Sequence, residues 1–384
     1  SETAIYPVFK LWIRSHRDLP IRVYQIVNTF RYETKHTRPL IRVREITSFK
    51  EAHTAHASRA EAEEQIKKAV ALYKLFFDQL AVPYVITKRP SWDKFPGAEY
   101  SIAFDTLMPD GRTMQIATIH LLGENFARTF DIRYEAEDGS SKLVNQTCYG
   151  ISERCVAAVI AVHGDEHGLI LPPKVAPIQV VIVPIIFSGD KNGSGMEEVK
   201  EACISLYEAL KEADVRVILD DSPERPGAKY YYWEMKGVPL RIELGPRDLN
   251  NNSCVFVRRD DFRKTQVSLN TAVPEVKRTL DDIQRHLYAR AKEKLASNII
   301  NIEDSKMGKM VEMDELRKAV RNSIISLTLC DNESCGKELE DTLGVSVLGE
   351  VYEDKGVAEG EGSGKKGCVI CTRSGSRVLV ARTY

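Results

Sequence analysis

The chain has 384 residues, of which 54 are basic, 55 acidic and eight are cysteine. That length accommodates two or three domains with full cores. The balanced charge leaves no overall electrostatic footprint for nucleic acid, so an RNA binder would have to concentrate positive charge locally. The longest apolar run, Val180 to Phe187, has the length of a strand and not of a membrane span. No signal peptide is visible, and the cysteines are too few and too unevenly placed for a secreted disulfide framework; a cytoplasmic protein is expected.

Near the start, Ile5, Phe9, Trp12 and Ile13 fall at helical spacing. Residues 21 to 33 read as a strand in which Arg31 and Glu33 share a face. A polar loop, Thr34 to Pro39, follows, and a second strand from Leu40 carries Arg42 and Arg44. Two such strands make either an exposed salt-bridge hairpin or a rigid platform for a phosphate and a purine edge. Arginine offers a planar fork to phosphate or carboxylate, and glutamate accepts from an amino group. Ser58 with Glu61 is a capping-box signal. It opens a helix whose apolar face is Ile66, Val70, Tyr73, Phe77 and Leu80, closed by Pro83. Short strands are expected around Ser101–Phe104, Thr113–His120 and Phe130–Tyr134, with Asp110–Gly111 as a tight hairpin turn. These predict an α+β core, a mixed and mostly antiparallel sheet with flanking helices. Neither GxGxxG nor a Walker loop occurs, so a bound nucleotide would be held by arginines and a sheet.

From Ile178 the pattern changes. Ile178 to Ile186 is a continuous apolar strand, as in a sheet covered on both faces. A Gly/Ser-rich turn, Gly189 to Gly195, leads to a helix with Val199, Ala202, Leu206 and Leu210 inward. A strand at Arg216–Leu219 completes a βαβ unit. Strands at Leu240–Leu244 and Cys254–Arg258 and a long helix from Glu275 to about Asn298 close an α/β domain. A helix around Met313–Asn322 follows, then a cysteine region whose acidic, glycine-rich tip, Glu353 to Gly367, is expected to be a mobile loop.

Cys330-x4-Cys335 and Cys368-x2-Cys371 form two close pairs. Four thiolates suit a closed, tetrahedral structural zinc site; disulfides are the alternative, disfavoured in a reducing compartment. Cys148, Cys155, Cys203 and Cys254 read as small buried residues. His163-Gly-Asp-Glu166-His167 fits the HxxEH pattern of zinc peptidases. Gly164 and Gly168 make a poor helix interior, so the segment reads instead as a helix end with a glycine stop.

Phe30-Arg-Tyr-Glu33, its loop and the returning arginines resemble motif 2 of class II aminoacyl-tRNA synthetases. Glu51-Ala-His-Thr-Ala-His-Ala-Ser58 resembles the segment that follows motif 2 in prolyl-tRNA synthetases. Gly150-Ile-Ser-Glu-Arg154 resembles their motif 3, and Leu171 to Ile185 their junction into an anticodon domain. The resemblance runs in order from Ser1 to Tyr384. It implies a class II catalytic core over 1–176, an α/β anticodon-binding domain over 177–285 and a C-terminal α/β zinc-binding domain over 286–384. Only 117 positions separate Glu33 from Gly150 (150 − 33), which leaves no room for a large editing insertion and implies the archaeal/eukaryotic type. Motif 1, which builds the class II dimer, would precede Ser1; a homodimer is implied when that part is present.

By the same resemblance the chain activates L-proline with ATP and transfers it to tRNA(Pro). Arg31 would bridge the proline carboxylate and the α-phosphate, and Glu33 would accept from the adenine amino group. Arg42 would reach the outer phosphates, Arg44 would join the ATP-binding set, Arg154 would stack on adenine and contact the γ-phosphate, and Gln115 and Thr118 match ATP-contacting positions; Arg31 and Arg154 are the implied catalytic residues. Mg²⁺ would arrive with ATP, held mainly by phosphates and water. The proline pocket would use Glu2, Arg31, Phe49, His53, His120 and Ser152; without the resemblance, His120 reads as a satisfied core residue. Glu243, Arg247 and Arg258 are the implied anticodon contacts, since Glu and Arg match the edges of guanine. In relatives a terminal tyrosine folds back near the active site, which places Tyr384 there. Two other readings stand beside this one. A non-catalytic paralogue binding RNA or a partner is opposed by the intact Arg31, Glu33 and Arg154, and a zinc peptidase would rest on His163 and His167.

Overall fold

The computed structural model describes residues 1–30, 32, 34, 36–185, 194–302, 313–352 and 367–384. Arg31, Glu33, most of the expected turn at 189–195 and nearly all of the 353–367 tip lie outside the described residues. The chain divides into two compact units. One comprises Ser1–Phe76, Pro83–Ala158 and Lys294–Tyr384, the other Phe77–Val82 and Val159–Glu293.

The first unit opens with α1 (Glu2–Trp12), which buries Tyr6 and Phe9. Trp12, expected on the same face, is 52% exposed. Strand β1 (Ile21–Phe30) pairs antiparallel with β2 (Glu45–His56), from Ile21–Ala55 to Phe30–Glu45 with a register shift between Val27 and Thr29. The second strand of the platform therefore starts at Glu45 and not at Leu40. Pro39 has no amide hydrogen to give a ladder, and Leu40 adopts a φ of 59°. Residues 38–42 instead close a tight turn bridged from Arg38 to Arg42, so Arg42 and Arg44 precede the strand.

Helix α2 (Arg59–Gln79) starts at the capping pair: Ser58 Oγ accepts from the Glu61 N–H at 3.2 Å, and Glu61 Oε2 accepts from the Ala57 N–H at 3.1 Å. Strands β3 (Val85–Lys88), β4 (Tyr100–Leu107) and β5 (Thr113–Gly123) follow. The β4–β5 turn needs Gly111, whose φ is 78° and whose Cβ would lie 2.2 Å from the Asn322 backbone. Where one strand was expected over 130–134, a helix, α3 (Asn125–Phe130), precedes the short pair β6 (Arg133–Glu135) and β7 (Ser141–Leu143). Asp131 ends α3 in the left-handed region, which a short polar side chain tolerates. Strand β8 (Asn145–Ser152) leads into α4 (Arg154–His163).

In the second unit β9 (Val180–Pro184) is buried at all five positions, as its apolar run predicts. It is followed by α5 (Ser194–Glu212), β10 (Val217–Leu219), α6 (Pro226–Lys236), β11 (Leu240–Leu244), α7 (Pro246–Asn250), β12 (Ser253–Arg258), β13 (Lys264–Ser268) and α8 (Ala272–Ser297). The strand order is β10–β9–β11–β12–β13, with β9 parallel to both neighbours. Val199, Leu206 and Leu210 of α5 pack with Val276 and Leu280 of α8 on Val180, Ile182, Leu240 and Ile242.

The chain then returns to the first unit with β14 (Ile299–Asn301), α9 (Met313–Ala319), β15 (Ile324–Leu329), α10 (Glu333–Leu343), β16 (Ser346–Val351) and β17 (Ser376–Ala381). Strand β16 pairs antiparallel with β3 and so extends the first sheet to ten strands, β1–β2–β8–β5–β4–β3–β16–β17–β15–β14. Only β14–β15 is parallel among these pairs, which matches the expected mixed, mostly antiparallel core. Among the described residues no helix is long and apolar enough to cross a membrane.

Candidate active site

Three neighbouring strands carry the site. Their registers align rows across β2, β8 and β5: His53–Cys148–His120 in one row and Glu51–Gly150–Thr118 in the next, with Phe49 opposite Ser152. Alternation along each strand puts these residues on one face. A cavity of about 490 Å³ opens over that face, bordered by Glu2, Glu51, Phe49, Cys148 and His120 and, further along, by Gln115, Thr118, Arg42 and Arg154. Gly150 lets the Phe49 ring lie close on the sheet; a Cβ there would approach it to 3.3 Å.

One end of the cavity is acidic. Cys148 Sγ lies 3.7 Å from a carboxylate oxygen of Glu2 and 3.7 Å from one of Glu51. Burial and then the nearby Glu51 and Glu2 charges push the Cys148 thiol well above its ordinary pKa, so it stays protonated. Burial pushes Glu51 up, but the His53 imidazole beside it favours the ionised form and helps hold the carboxyl below its ordinary value. Glu51 is thus an ionised acceptor suited to an ammonium group. His53 is fully buried behind it, with Nε2 3.1 Å from Glu51 Oε2 and Nδ1 3.2 Å from the Tyr6 hydroxyl. It supports Glu51 from beneath and does not border the cavity. His120 does border it. Its Nδ1 lies 2.8 Å from Ser101 Oγ, and Phe95 stacks on its ring at 4.8 Å. Burial lowers its pKa to about 4, which keeps it neutral at pH 7.

The other end is cationic. Ser152 Oγ accepts from the Arg154 N–H at 3.4 Å at the start of α4. The Arg154 side chain is fixed by Nε donating to the Ile41 carbonyl at 2.7 Å and Nη1 to the Gln115 carbonyl at 3.4 Å. The turn that displaces β2 therefore supplies the carbonyl that aims this guanidinium. Arg44 is exposed and, with Arg38, Arg42 and Arg112, borders a second opening of about 680 Å³ next to Tyr384. Tyr384 borders both cavities. Its ring is covered by the Arg112 guanidinium at 3.9 Å, and its hydroxyl donates to Asp110 at 2.8 Å.

Reading from sequence alone missed Glu51 and Cys148 as site residues, and also the Arg89–Asp105 pair. Arg89 Nη2 donates to both Asp105 oxygens at 2.9 and 3.0 Å on the cavity wall. Glu51 could have been found, since it shares a period-two face with Phe49 and His53. Cys148 and Asp105 could not, because their neighbours depend on strand order.

In the second unit, Arg247 is exposed on α7, whereas Glu243 and Arg258 are buried. Arg241 Nε donates to Glu243 Oε1 at 3.0 Å and lies over the Tyr230 ring, and Arg258 pairs with Asp260 at 2.7 Å. His163 is the last residue of α4 and is buried, with Gly164 after it, while His167 and Glu166 are exposed. The two histidines are not among the groups of potential metal ligands that converge in the described residues. The helix-end reading of this segment therefore holds over the peptidase reading.

The sulfur atoms of Cys330, Cys335, Cys368 and Cys371 all lie within 4.8 Å of one another, and none is in a disulfide. Cys330 and Cys371 are 3.6 Å apart, close to the spacing of about 3.8 Å expected around a tetrahedral ion with metal–sulfur bonds of about 2.3 Å. Arg373 Nε donates to Cys371 Sγ at 3.2 Å and, as the main cause, lowers its pKa to about 6. A thiolate is therefore within easy reach at this cluster.

The fold matches known proteins. Residues 1–163 match the family described as "tRNA synthetase class II core domain (G, H, P, S and T)", and residues 179–279 match "Anticodon binding domain". These define a class II aminoacyl-tRNA synthetase. The proline–tRNA ligase of Methanosarcina mazei is 52% identical over 385 aligned positions, covering all of this chain and 76% of that protein; that of Methanothrix thermoacetophila is 53% identical with the same coverage. A prolyl-tRNA synthetase of Cryptosporidium parvum, solved with L-proline and AMP, superposes with a TM-score of 0.90 at 34% identity, covering all of this chain and 79% of that one. The chain belongs to the prolyl-tRNA synthetase family. The archaeal/eukaryotic type inferred from the spacing of its motifs agrees with these relatives.

Proposed function

We propose that the chain joins L-proline to tRNA(Pro) at the expense of ATP, in the cavity over β2, β8 and β5. One observation carries the reading: a single cavity has ionised acceptors, Glu51 and Glu2, at one end and the anchored Arg154 guanidinium at the other. Proline supplies an ammonium for the acidic end and a carboxylate that must face the cationic end. An apolar ring fits between them, against Phe49.

In the first step a proline carboxylate oxygen attacks the α-phosphorus of ATP, the bond to the β-phosphate oxygen breaks, and pyrophosphate leaves. No proton is transferred. Catalysis is positioning of two anions and stabilisation of the charge on the transferring phosphoryl group. Arg154 would stabilise that charge. Arg31 would bridge the two anions and Glu33 would take the adenine amino group, with Thr118 and Gln115 along the nucleotide. Mg²⁺ would be held by phosphates and water. In the second step a ribose hydroxyl at the tRNA 3′ end attacks the acyl carbon, its proton passes to the departing phosphate or to solvent, and AMP leaves.

The division of labour runs 1–176 for activation, 177–285 for the anticodon and 286–384 for a zinc-stapled module, the last sharing its sheet with the first. For the anticodon, exposed Arg247 is the direct contact, and Glu243 and Arg258 would shape the surface or exchange their present partners. At the cysteine cluster the four sulfurs suit a closed structural Zn²⁺ with no position left for substrate. Exposed Tyr24, Ile26 and Phe30 on β1 support a homodimer. The lack of a spanning helix among the described residues is consistent with cytoplasmic placement. The decisive experiment is ATP–pyrophosphate exchange with each amino acid in turn. Exchange that requires proline supports the reading; its absence, in a protein of the relatives' full length, overturns it.

A further inference from the structure

Cys148 stands opposite His53 across one strand pair and opposite His120 across the next. One ligand-capable atom from each of Glu51, His53 and Cys148 lies within 4.8 Å of the others, and all three residues are buried. Glu2 adds an oxygen 3.7 Å from the same sulfur. His53 Nε2 lies 3.1 Å from Glu51 Oε2 as a charge contact, and this buried nitrogen makes no hydrogen bond of good geometry. An imidazole nitrogen, a sulfur and a carboxylate oxygen thus lie within 4.8 Å of one another beside the cavity that Glu2, Glu51 and Cys148 border.

We infer that this cluster binds a thiophilic divalent cation such as Zn²⁺ or Cd²⁺, in competition with the ammonium group of the amino-acid substrate. The inference rests on reading this cavity as the proline site. The donor set is the mixed N, O, S set that such cations take. Around a tetrahedral ion, bonds of about 2.0–2.3 Å separate neighbouring donors by roughly 3.3–3.8 Å. His53 faces Glu51 Oε2 at 3.1 Å and Cys148 faces Glu51 Oε1 at 3.7 Å, so a carboxylate that chelates with both oxygens, or turns slightly, sets both neighbours against one ion. On binding, one sulfur–metal bond forms, the S–H bond of Cys148 breaks and one proton passes to solvent; nothing is oxidised or reduced. The Glu51 carboxylate cannot serve the cation and a substrate ammonium together, so occupancy by one excludes the other. This site is separate from the Cys330 cluster, whose four sulfurs satisfy an ion by themselves.

The test uses the full chain carrying one equivalent of zinc. Cd²⁺ is titrated into wild type, Cys148→Ser and Cys148→Ala, and sulfur-to-cadmium absorption is followed with and without saturating L-proline. Folding of both variants is checked by thermal melting. Wild type is expected to take one more equivalent than either variant, with an apparent Kd raised at least about tenfold by proline. Equal uptake by wild type and the variants, or uptake indifferent to proline, overturns the inference. Proline-dependent exchange is measured alongside in the presence of chelator. Exchange without metal competition removes only the cation site, whereas no exchange in any condition removes the reading of the cavity.

Discussion

Arg42 donates from Nη2 to the Tyr384 main-chain oxygen at 3.2 Å, across 342 positions of sequence. Arg42 borders the cavity that holds Arg154, so this contact brings Tyr384 to the cationic end of the cavity. Deleting Tyr384 removes the contact. One charge-assisted hydrogen bond is worth about 1.5 kcal/mol or more, so kcat/KM for exchange should fall about tenfold. Tyr384→Phe keeps the main-chain oxygen and loses only the Asp110 bond, and should fall far less. Equal exchange rates for wild type and the deletion would remove the role.

Stability should fall on mild acidification. Burial, the main cause in each case, lowers His56, His120 and His163 to about 4 from 6.5. Between those values the unfolded chain takes up protons that the folded chain refuses. Their contribution is complete above about 6.5 and is lost as pH falls towards 4. Glu51, whose carboxyl His53 helps hold low, runs with the same sign: its contribution is present above 4.5 and is lost as pH falls below that. Urea midpoints at pH 7, 5.5 and 4.5 should therefore decrease in order, by a few kcal/mol in total. A flat profile would show that these imidazoles are solvated.

The cysteine cluster predicts a stoichiometry. With four of eight cysteines converging, one zinc should copurify per chain and shield four thiols from a thiol reagent. Chelation should release the ion, expose those thiols and lower Tm by several degrees, because the sulfurs lie in a core with Leu327, Leu339 and Val380. Thiol counts that do not change on chelation would rule out a structural ion.

Gly336 on α10 lies under the Trp92 indole: a Cβ there would come within 2.1 Å of the ring. Trp92 packs in the same core as Cys330, Cys335 and Cys368. The Gly336→Ala substitution, favourable for an isolated helix by about 1 kcal/mol, should instead destabilise by roughly 1–3 kcal/mol through overpacking. Denaturant melts and Trp92 fluorescence give the sign. An unchanged or higher midpoint would mean that the ring moves aside freely.

The sheet was legible because its strands and turns are locally written: the Ser58–Glu61 cap, the Gly111 turn and the apolar β9 run each formed where the chain called for them. The site was legible mainly through resemblance. Arg154, Phe49, Thr118 and His120 reach one cavity, but no local signal states that β8 lies between β2 and β5. Strand order is a long-range property, and so Cys148 escaped notice although it sits opposite two of the named histidines. The turn at Pro39–Leu40 was misread for a different reason. Alternation of Leu40, Arg42 and Arg44 mimics a strand, but the missing amide of Pro39 and the positive φ of Leu40 override it.

That turn has a functional consequence through Arg154. The Ile41 carbonyl accepts from Nε at 2.7 Å and the Gln115 carbonyl from Nη1 at 3.4 Å, so two donors are committed to orientation. Lysine in this place keeps the charge but has no planar fork with which to hold both carbonyls and still face a phosphate. Arg154→Lys should therefore lower kcat for exchange by roughly 10²–10³-fold, with a much smaller change in Tm. Shortening the turn by deleting Leu40 should misplace the Ile41 carbonyl and reproduce much of that loss with Arg154 intact. If the deletion leaves exchange at wild-type rates while Arg154→Lys abolishes it, the guanidinium acts without the turn, and the anchoring role assigned to Ile41 is wrong.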